Sequence, residues 1–268
     1  MAEVALRGVR KVFGRNGDVV VALDGLDLDI PDGTFTTLLG PSGCGKTTAL
    51  DLMAGFTRPD SGSVTVDGRT VERPGPDRGV VFQDLALFPW LRVDENVAFG
   101  LRALPAHEAR ERTDELLDAV GLTLFRRRYP AELSGGMRQR VAIARVLALD
   151  PPVLLMDEPF GALDAQTRVL MQEFLVSLWE RRPRTALFVT HDLDEAVFLA
   201  DRLCVMTARP GRIKETVAVD LPRPRETSIM SSVRFHELRD RARVLVREEA
   251  LRSIQPLAGG VATDRGTS

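Results

Sequence analysis

Residues 40–48, GPSGCGKTT, place Gly40, Gly45, Lys46 and Thr47 at the spacing G-x-x-x-x-G-K-[ST]. Such a run can cradle phosphate. Its glycines let successive backbone N–H groups converge on phosphate oxygens, and a following helix adds the positive end of its dipole. Gly40, Pro41, Ser42, Gly43, Cys44, Gly45, Lys46, Thr47 and Thr48 are therefore all candidates to bind a nucleotide. Within the loop, Lys46 would reach the β- and γ-phosphates and the Thr47 hydroxyl would hold Mg²⁺. Of 36 basic residues only Lys11, Lys46 and Lys214 are lysines, so a lysine at this point is not a matter of composition.

A second concentration of chemistry is VLLMDEP, residues 153–159. An apolar run that delivers Asp157 and Glu158 at its carboxyl end puts acids where open α/β sheets bind ligands. Asp157 would act on Mg²⁺, directly or through water, and Glu158 would orient or deprotonate an attacking water. A strand ending in two acids is by itself equally a surface turn or a helix cap; the phosphate loop turns the reading toward chemistry. Gln83, after GVVF, and His191, after ALFVT, occupy similar strand ends. Gln83 can touch both Mg²⁺ and water, or be a solvated turn residue. Asp192, Asp194 and Glu195 follow His191, and these acids also suit a helix cap.

The third stretch is LSGGMRQR, residues 133–140. Ser134 is a natural N-cap, and Gly135 and Gly136 allow close approach of an anion. Taken alone, a well-capped helix explains it as readily. A second phosphate site in a chain that already has one calls for a reason.

The elements that must position these residues follow from periodicity. VALRGVRKVFG and GDVVVALDGLDLDI alternate as antiparallel strands; GTFTTLLG, RGVVFQD, PVLLMDEP, TALFVTH and RLCVM are apolar runs of strand length. KTTALDLMAGF is a helix closed by Gly55, and GSVTVDGRTV is a hairpin turning at Asp67-Gly68. Residues 84–148 contain no good strand. There AHEARERTDELLDAVGL sets Leu116, Leu117 and Val120 on one stripe with Gly121 as C-cap, and a second helix ends at Asp150-Pro151-Pro152. TRVLMQEFLVSLWERR is an amphipathic helix, and residues 228–253 form a last helix with Phe235, Leu238, Ala242 and Leu245 on one face. Apolar strands alternating with helices indicate a parallel sheet covered on both sides.

Composition narrows the classes. A net charge of −2 excludes a strongly basic nucleic-acid footprint, and two distant cysteines exclude a disulfide scaffold or a cysteine metal cluster. The N-terminus has no apolar stretch of signal-peptide length, and no run reaches the roughly 20 residues that span a bilayer.

GPSGCGKTT, Gln83, LSGGMRQR, VLLMDEP, GALD and His191, in that order, resemble the ATP-binding subunits of ABC transporters over residues 1 to about 222. The resemblance implies an α/β fold: a P-loop NTPase (RecA-like) core with an N-terminal antiparallel β subdomain and an α-helical subdomain inserted at about 84–148. Residues 223–256 would be a helical extension and 257–268 a disordered tail. It implies ATP and Mg²⁺ as cofactors and a head-to-tail dimer of two copies, in which Ser134, Gly135 and Gly136 bind the γ-phosphate held by the other copy. Lys46, Gln83, Glu158 and His191 would be the catalytic group, with Glu158 as general base and His191 on the γ-phosphate. Thr47, Gln83 and Asp157 would hold the metal, and Asp164 of GALD would communicate across the dimer. Phe13 stands where the family often has a tyrosine that stacks on adenine; it keeps the π-face without the hydroxyl, or is a core residue.

Residues 73–101, DEPFGALDAQTR and LPRPRE are similar to importers for nitrate, taurine and aliphatic sulfonates. That likeness implies integral permease subunits, a substrate-binding protein served indirectly, and a peripheral place on the cytoplasmic face of the inner membrane. Phe88 and Trp90, just after Gln83, are either a docking surface for the permease or core packing. The competing class, an ABC-type ATPase acting on nucleic acid or ribosome, usually has paired cores, coiled coils or zinc insertions, and none of these is seen.

Overall fold

The computed structural model describes residues 2–14 and 19–254. Two long strands open the chain, β1 (Val4–Phe13) and β2 (Val20–Ile30). β3 (Phe35–Leu39), buried along its length, runs into the glycine loop and α1 (Lys46–Ala54), which Gly55 closes at φ 78°. β4 (Ser61–Val66) and β5 (Arg69–Thr70) form the expected hairpin, with positive φ at both Asp67 and Gly68. After β6 (Arg78–Val81) come three helices, α2 (Val93–Ala98), α3 (Ala106–Ala119) and α4 (Gly135–Ala148). Alternation then resumes with β7 (Val153–Asp157), α5 (Ala165–Arg181), β8 (Thr185–Val189), α6 (Leu193–Leu199) and β9 (Arg202–Met206). β10 (Ile213–Ala218) and α7 (Val233–Ile254) complete the described chain.

The strands make two sheets. One is antiparallel, in the order β2-β1-β4-β5; the other runs β10-β9-β3-β8-β7-β6, parallel from β9 to β6, with β10 antiparallel at its edge. Parallel strands need crossovers that cover both faces, which is why β3, β7 and β8 read as unbroken apolar runs. The carboxyl ends of β3, β6, β7 and β8 share one edge of this sheet. The glycine loop, Gln83, Asp157, Glu158 and His191 all leave from that edge.

Each layer has its own core. Phe35, Phe160, Phe188 and Trp179 pack under α5, α6 and α7; Leu38, Leu50 and Met53 join α1 to the antiparallel sheet; Val93, Val97, Leu117 and Val141 bury themselves within the helical block. Phe235, Leu238, Ala242 and Leu245 of α7 belong to the first of these clusters.

Some boundaries differ from the sequence reading. The strand expected to end at Gln83 stops at Val81, leaving Gln83 exposed on the loop. The helix expected from residue 228 starts at Val233, because Thr227–Ser231 coils into a 3₁₀ turn and the Ser232 hydroxyl accepts the Phe235 N–H (3.2 Å). Residues 255 and 256 of the expected extension, and the expected tail 257–268, lie outside the described residues. Among the described residues no helix is long and apolar enough to cross a membrane.

The helical block joins the core at two crossings. In the outgoing one, residues 82–92, Ala86 takes φ 46°, and Arg145 of α4 donates to Ala86 O (2.8 Å) and Leu85 O (3.2 Å). Fully buried Asn96 knots this segment: its Nδ2 donates to Phe88 O, Leu91 O and Arg92 O, and its Oδ1 accepts the Phe88 N–H. In the return crossing Asp150 takes φ 52°, and its carboxylate gathers Arg182 and Arg184 at 2.5 Å and Arg112 of α3 at 3.5 Å.

Candidate active site

The phosphate loop is shaped by what lies behind it. Gly45 takes φ 104°, and a Cβ there would fall 2.7 Å from Leu23 Cδ2 and 3.1 Å from Ala22 O, so only glycine lets the loop lie against β2. Lys46 is 7% exposed and donates from Nζ to Gly40 O (2.9 Å) and Pro41 O (3.1 Å), so the loop carbonyls cradle its ammonium. Ser42, Gly43, Gly45, Lys46, Thr47 and Thr48 wall a cavity of about 430 Å³. Glu158 and Phe13 close it from other sides. Gly40, Pro41 and Cys44 do not line it. The Cys44 side chain is buried in the core, and burial pushes its thiol up. It brings no side chain to the cavity.

Phe13 is 46% exposed, with Lys11 Nζ 5.5 Å from its ring centroid. The core alternative for this ring is therefore excluded, and an exposed aromatic ring stands at the cavity wall. Phe88 and Trp90 lie ring to ring (centroids 5.6 Å) but differ in exposure. Phe88 packs on Phe99 (ring centroids 4.3 Å) beneath Arg145, whereas Trp90 is 70% exposed.

The acids leave β7 side by side with different surroundings. Burial holds the Asp157 carboxyl above its usual range, a bond to the Thr47 hydroxyl opposes that, and the neighbouring Glu158 adds to it. Among the described residues Asp157 has no salt-bridge partner. A half-buried carboxylate without a salt-bridge partner, next to a hydroxyl at a phosphate loop, is an oxygen donor set suited to Mg²⁺, which takes one or two protein oxygens plus phosphates rather than a protein cage.

Glu158 takes φ 42°, in the left-handed region that non-glycine residues occupy at a cost of about 1–3 kcal/mol. Its N–H donates to Val189 O (3.0 Å), which ties the turn after β7 to the end of β8. His191 Nδ1 donates to Glu158 Oε2 (3.0 Å), and among the described residues Nε2 has no bonding partner. Gln83 reaches the same place from β6: a Cβ on Gly161 would lie 3.7 Å from Gln83 Nε2 and 3.9 Å from Glu158 Oε2. Phe13, Lys46, Thr47 and Glu158 thus wall one cavity, Asp157 precedes Glu158 at the end of β7, and His191 and Gln83 adjoin the cavity through Glu158.

Ser134, Gly135, Gly136 and Asp164 gather elsewhere. Ser134 caps α4, its Oγ accepting the Met137 N–H (3.3 Å). A Cβ on Gly136 would meet Thr167 Cγ2 at 2.9 Å, and one on Gly135 would meet Leu163 Cδ2 at 3.4 Å. Asp164 caps α5, accepting from Thr167 N (2.9 Å) and Thr167 Oγ1 (2.7 Å), and these bonds hold its carboxyl below the usual range. None of the four is in the wall of the phosphate-loop cavity.

Several supporting residues escape sequence reasoning. Buried Glu195 accepts from Thr190 Oγ1 and from Gln172 Nε2 (3.1 Å), bracing the residue before His191, and burial pushes its carboxyl up to about 7. Its only sequence signal is its place three residues after the N-cap Asp192, where it looks like a capping acid; its N–H does donate to Asp192 Oδ1 (3.0 Å). Asn96 and Arg145 carry no signal at all.

The fold and site together define a P-loop ATPase. The family model for "ABC transporter" matches residues 23–161. The taurine import ATP-binding protein TauB of Rhizobium johnstonii is 49% identical over 89% of this chain and 94% of its own. The nitrate import ATP-binding protein NrtD of Synechocystis sp. is 51% identical over 82% and 83%. The dimeric bacterial ABC transporter cassette MJ0796 superposes with a TM-score of 0.71 at 32% identity, covering 82% of this chain and all of that one. The chain belongs to the ABC transporter family, as an ATP-binding subunit of the importer type, and is an ATPase.

Proposed function

We propose that two copies of this chain face head to tail and close on two ATP molecules, and that the cycle of closure and hydrolysis drives import of a small anion through a membrane permease. One observation carries the reading: the groups for hydrolysis gather at the phosphate-loop cavity, while Ser134, Gly135 and Gly136 lie apart from it. A phosphate-binding helix end that lacks the lysine, the paired acids and the histidine of the phosphate-loop face makes sense as the lid of another copy's site. Asp164 and Thr167, packed beside it, would sense the partner.

Within each site the roles follow from geometry. Phe13 offers its face to adenine. The loop N–H groups and Lys46 hold the phosphates. Thr47, Asp157 and Gln83 would hold Mg²⁺, which when bound neutralises charge on the β- and γ-phosphates. Glu158 takes a proton from the water that attacks the γ-phosphorus. His191 fixes the Glu158 carboxylate with Nδ1 and keeps Nε2 for the γ-phosphate. The Gln83 loop is tethered by Arg145 to the helix that Ser134 caps, so a change at the γ-phosphate reaches exposed Trp90, the docking point for a permease on the cytoplasmic face of the membrane. The transported anion is of the nitrate or sulfonate class, as in the named relatives, and is chosen by a separate binding protein.

The test mixes two inactive variants. Lys46→Ala should lose nucleotide and Ser134→Arg should lose the lid. Mixed, they form heterodimers with one intact site, and phosphate release should return to a substantial fraction of wild type. If mixing restores nothing while both variants are folded, the site is not shared between copies.

A further inference from the structure

The segment joining β9 to β10, residues 207–212, lies against the phosphate loop and is fixed on both sides. Thr207 N donates to Arg212 O (2.9 Å), and the Thr207 hydroxyl donates to Pro210 O (3.0 Å), so the turn is closed on itself. On one side Gly211 N donates to Ala22 O (2.8 Å) of β2. A Cβ on Gly211 would stand 2.1 Å from Cys44 O, so glycine is what allows this close approach. On the other side Ala208 N donates to Glu249 Oε2 (3.0 Å). Glu249 belongs to α7, has a 2% exposed side chain, and is held by Lys214 and Arg252 at 2.8 Å each.

Arg209 stands between these two fixed points. Its Nε donates to Gly43 O (3.2 Å), and its guanidinium lies over Gly43, where a Cβ would come within 2.8 Å of it. Among the described residues it has no ion pair, although the chain surface is laced with arginine–carboxylate bridges. It walls the same cavity as Lys46 and Thr47, and these two cations, Lys46 and Arg209, are the positive groups of that wall. An exposed arginine ordinarily loses side-chain freedom when it binds an anion. Here the backbone is pinned on both sides and one of five N–H donors already rests on the loop, so most of that cost is met before a ligand arrives.

We propose that Arg209 is a nucleotide-binding residue: a guanidinium that the β9–β10 turn presents to the anionic part of ATP, held in place by α7 through Glu249. The proposal rests on the reading of this cavity as the ATP site. It makes the C-terminal helix a determinant of nucleotide affinity.

The test is equilibrium binding of trinitrophenyl-ATP to the full chain by fluorescence, which needs no turnover. Arg209→Ala should weaken binding about tenfold, the scale of one charge-assisted contact at a partly exposed site. Arg209→Lys should recover part of this, since it keeps the charge and loses the fork. Glu249→Gln should weaken binding about threefold and add nothing to Arg209→Ala, because it acts through that residue. In ATP hydrolysis the loss should fall on KM more than on kcat. Arg209→Ala binding within twofold of wild type overturns the proposal, and a Glu249→Gln loss that adds fully to Arg209→Ala overturns the role of α7. Lys46→Ala is the separate control: if it binds the analogue normally, the cavity itself has been misread.

Discussion

The phosphate-loop face and the Ser134 face use the same backbone device, glycines ahead of a helix N-terminus, with opposite support. The loop at Gly45 is backed by β2 and β3, buries its lysine, and has two acids, a glutamine and a histidine within reach. The Ser134 face is borne by a block with its own core, and its near neighbours are Leu163 and Thr167. Glycines ahead of a helix end are a local property of the backbone, whereas a set of groups for hydrolysis depends on what the sheet edge gathers around it. Both faces have the first, and of the two only the phosphate-loop face has the second.

The largest expected effect breaks that contrast if it fails. Glu158→Gln should cut phosphate release at least about a hundredfold while trinitrophenyl-ATP still binds, the usual loss for a general base. Activity within a few-fold of wild type would mean that the chemistry does not sit at the phosphate-loop face.

A smaller effect sharpens the claim that the two faces stand on separately cored bodies. Asn96→Ala removes four bonds from the outgoing crossing and strands the Phe88 N–H and the Leu91 carbonyl. A loss of about 2–3 kcal/mol follows, measured by urea unfolding. Amide exchange should rise first in α2 and α4. A uniform rise across both sheets would argue against a separately stable block.

The smallest concerns Glu195, whose buried carboxyl titrates at about 7 in the fold. Between its ordinary range and that value the unfolded chain releases a proton that the folded chain keeps. The stability it contributes is full below about pH 4.5 and is lost as pH rises through about 7, on the order of 2 kcal/mol. Glu195→Gln should remove this component, so that its Tm falls less than that of wild type between pH 5 and 8. Parallel Tm curves would show that Glu195 does not carry the titration.

What was legible in the sequence tracks how local each feature is. The phosphate loop is nine consecutive residues with a fixed spacing and needs no tertiary help to be seen. Asp157 and Glu158 were legible as a strand end, and gained a role from the loop beside them. Gln83 was placed on a strand because GVVFQ is apolar up to Phe82; the backbone leaves the sheet at Val81 and exposes both Phe82 and Gln83. β10 was invisible because IKETVA is polar on its outer side, as an antiparallel edge strand can be. Arg209 gains its meaning from the meeting of residues 207–212 with residues 40–46, and nothing in ARPGRI reports that contact. Glu195 disguises itself as a cap, and Asn96 looks like any polar residue in a short helix.

The two crossings between core and helical block share a peculiarity: each contains a non-glycine residue in the left-handed region, Ala86 in one and Asp150 in the other. Each is also clamped, one by Arg145 and Asn96, the other by three guanidinium groups on a single carboxylate. In mechanical terms these are two pins: the backbone is fixed at both points where it passes between core and block, so the orientation of the Ser134 face is set by the crossings rather than left to slack chain, and Ile143 and Leu147 of α4 add a third hold by packing into the sheet core.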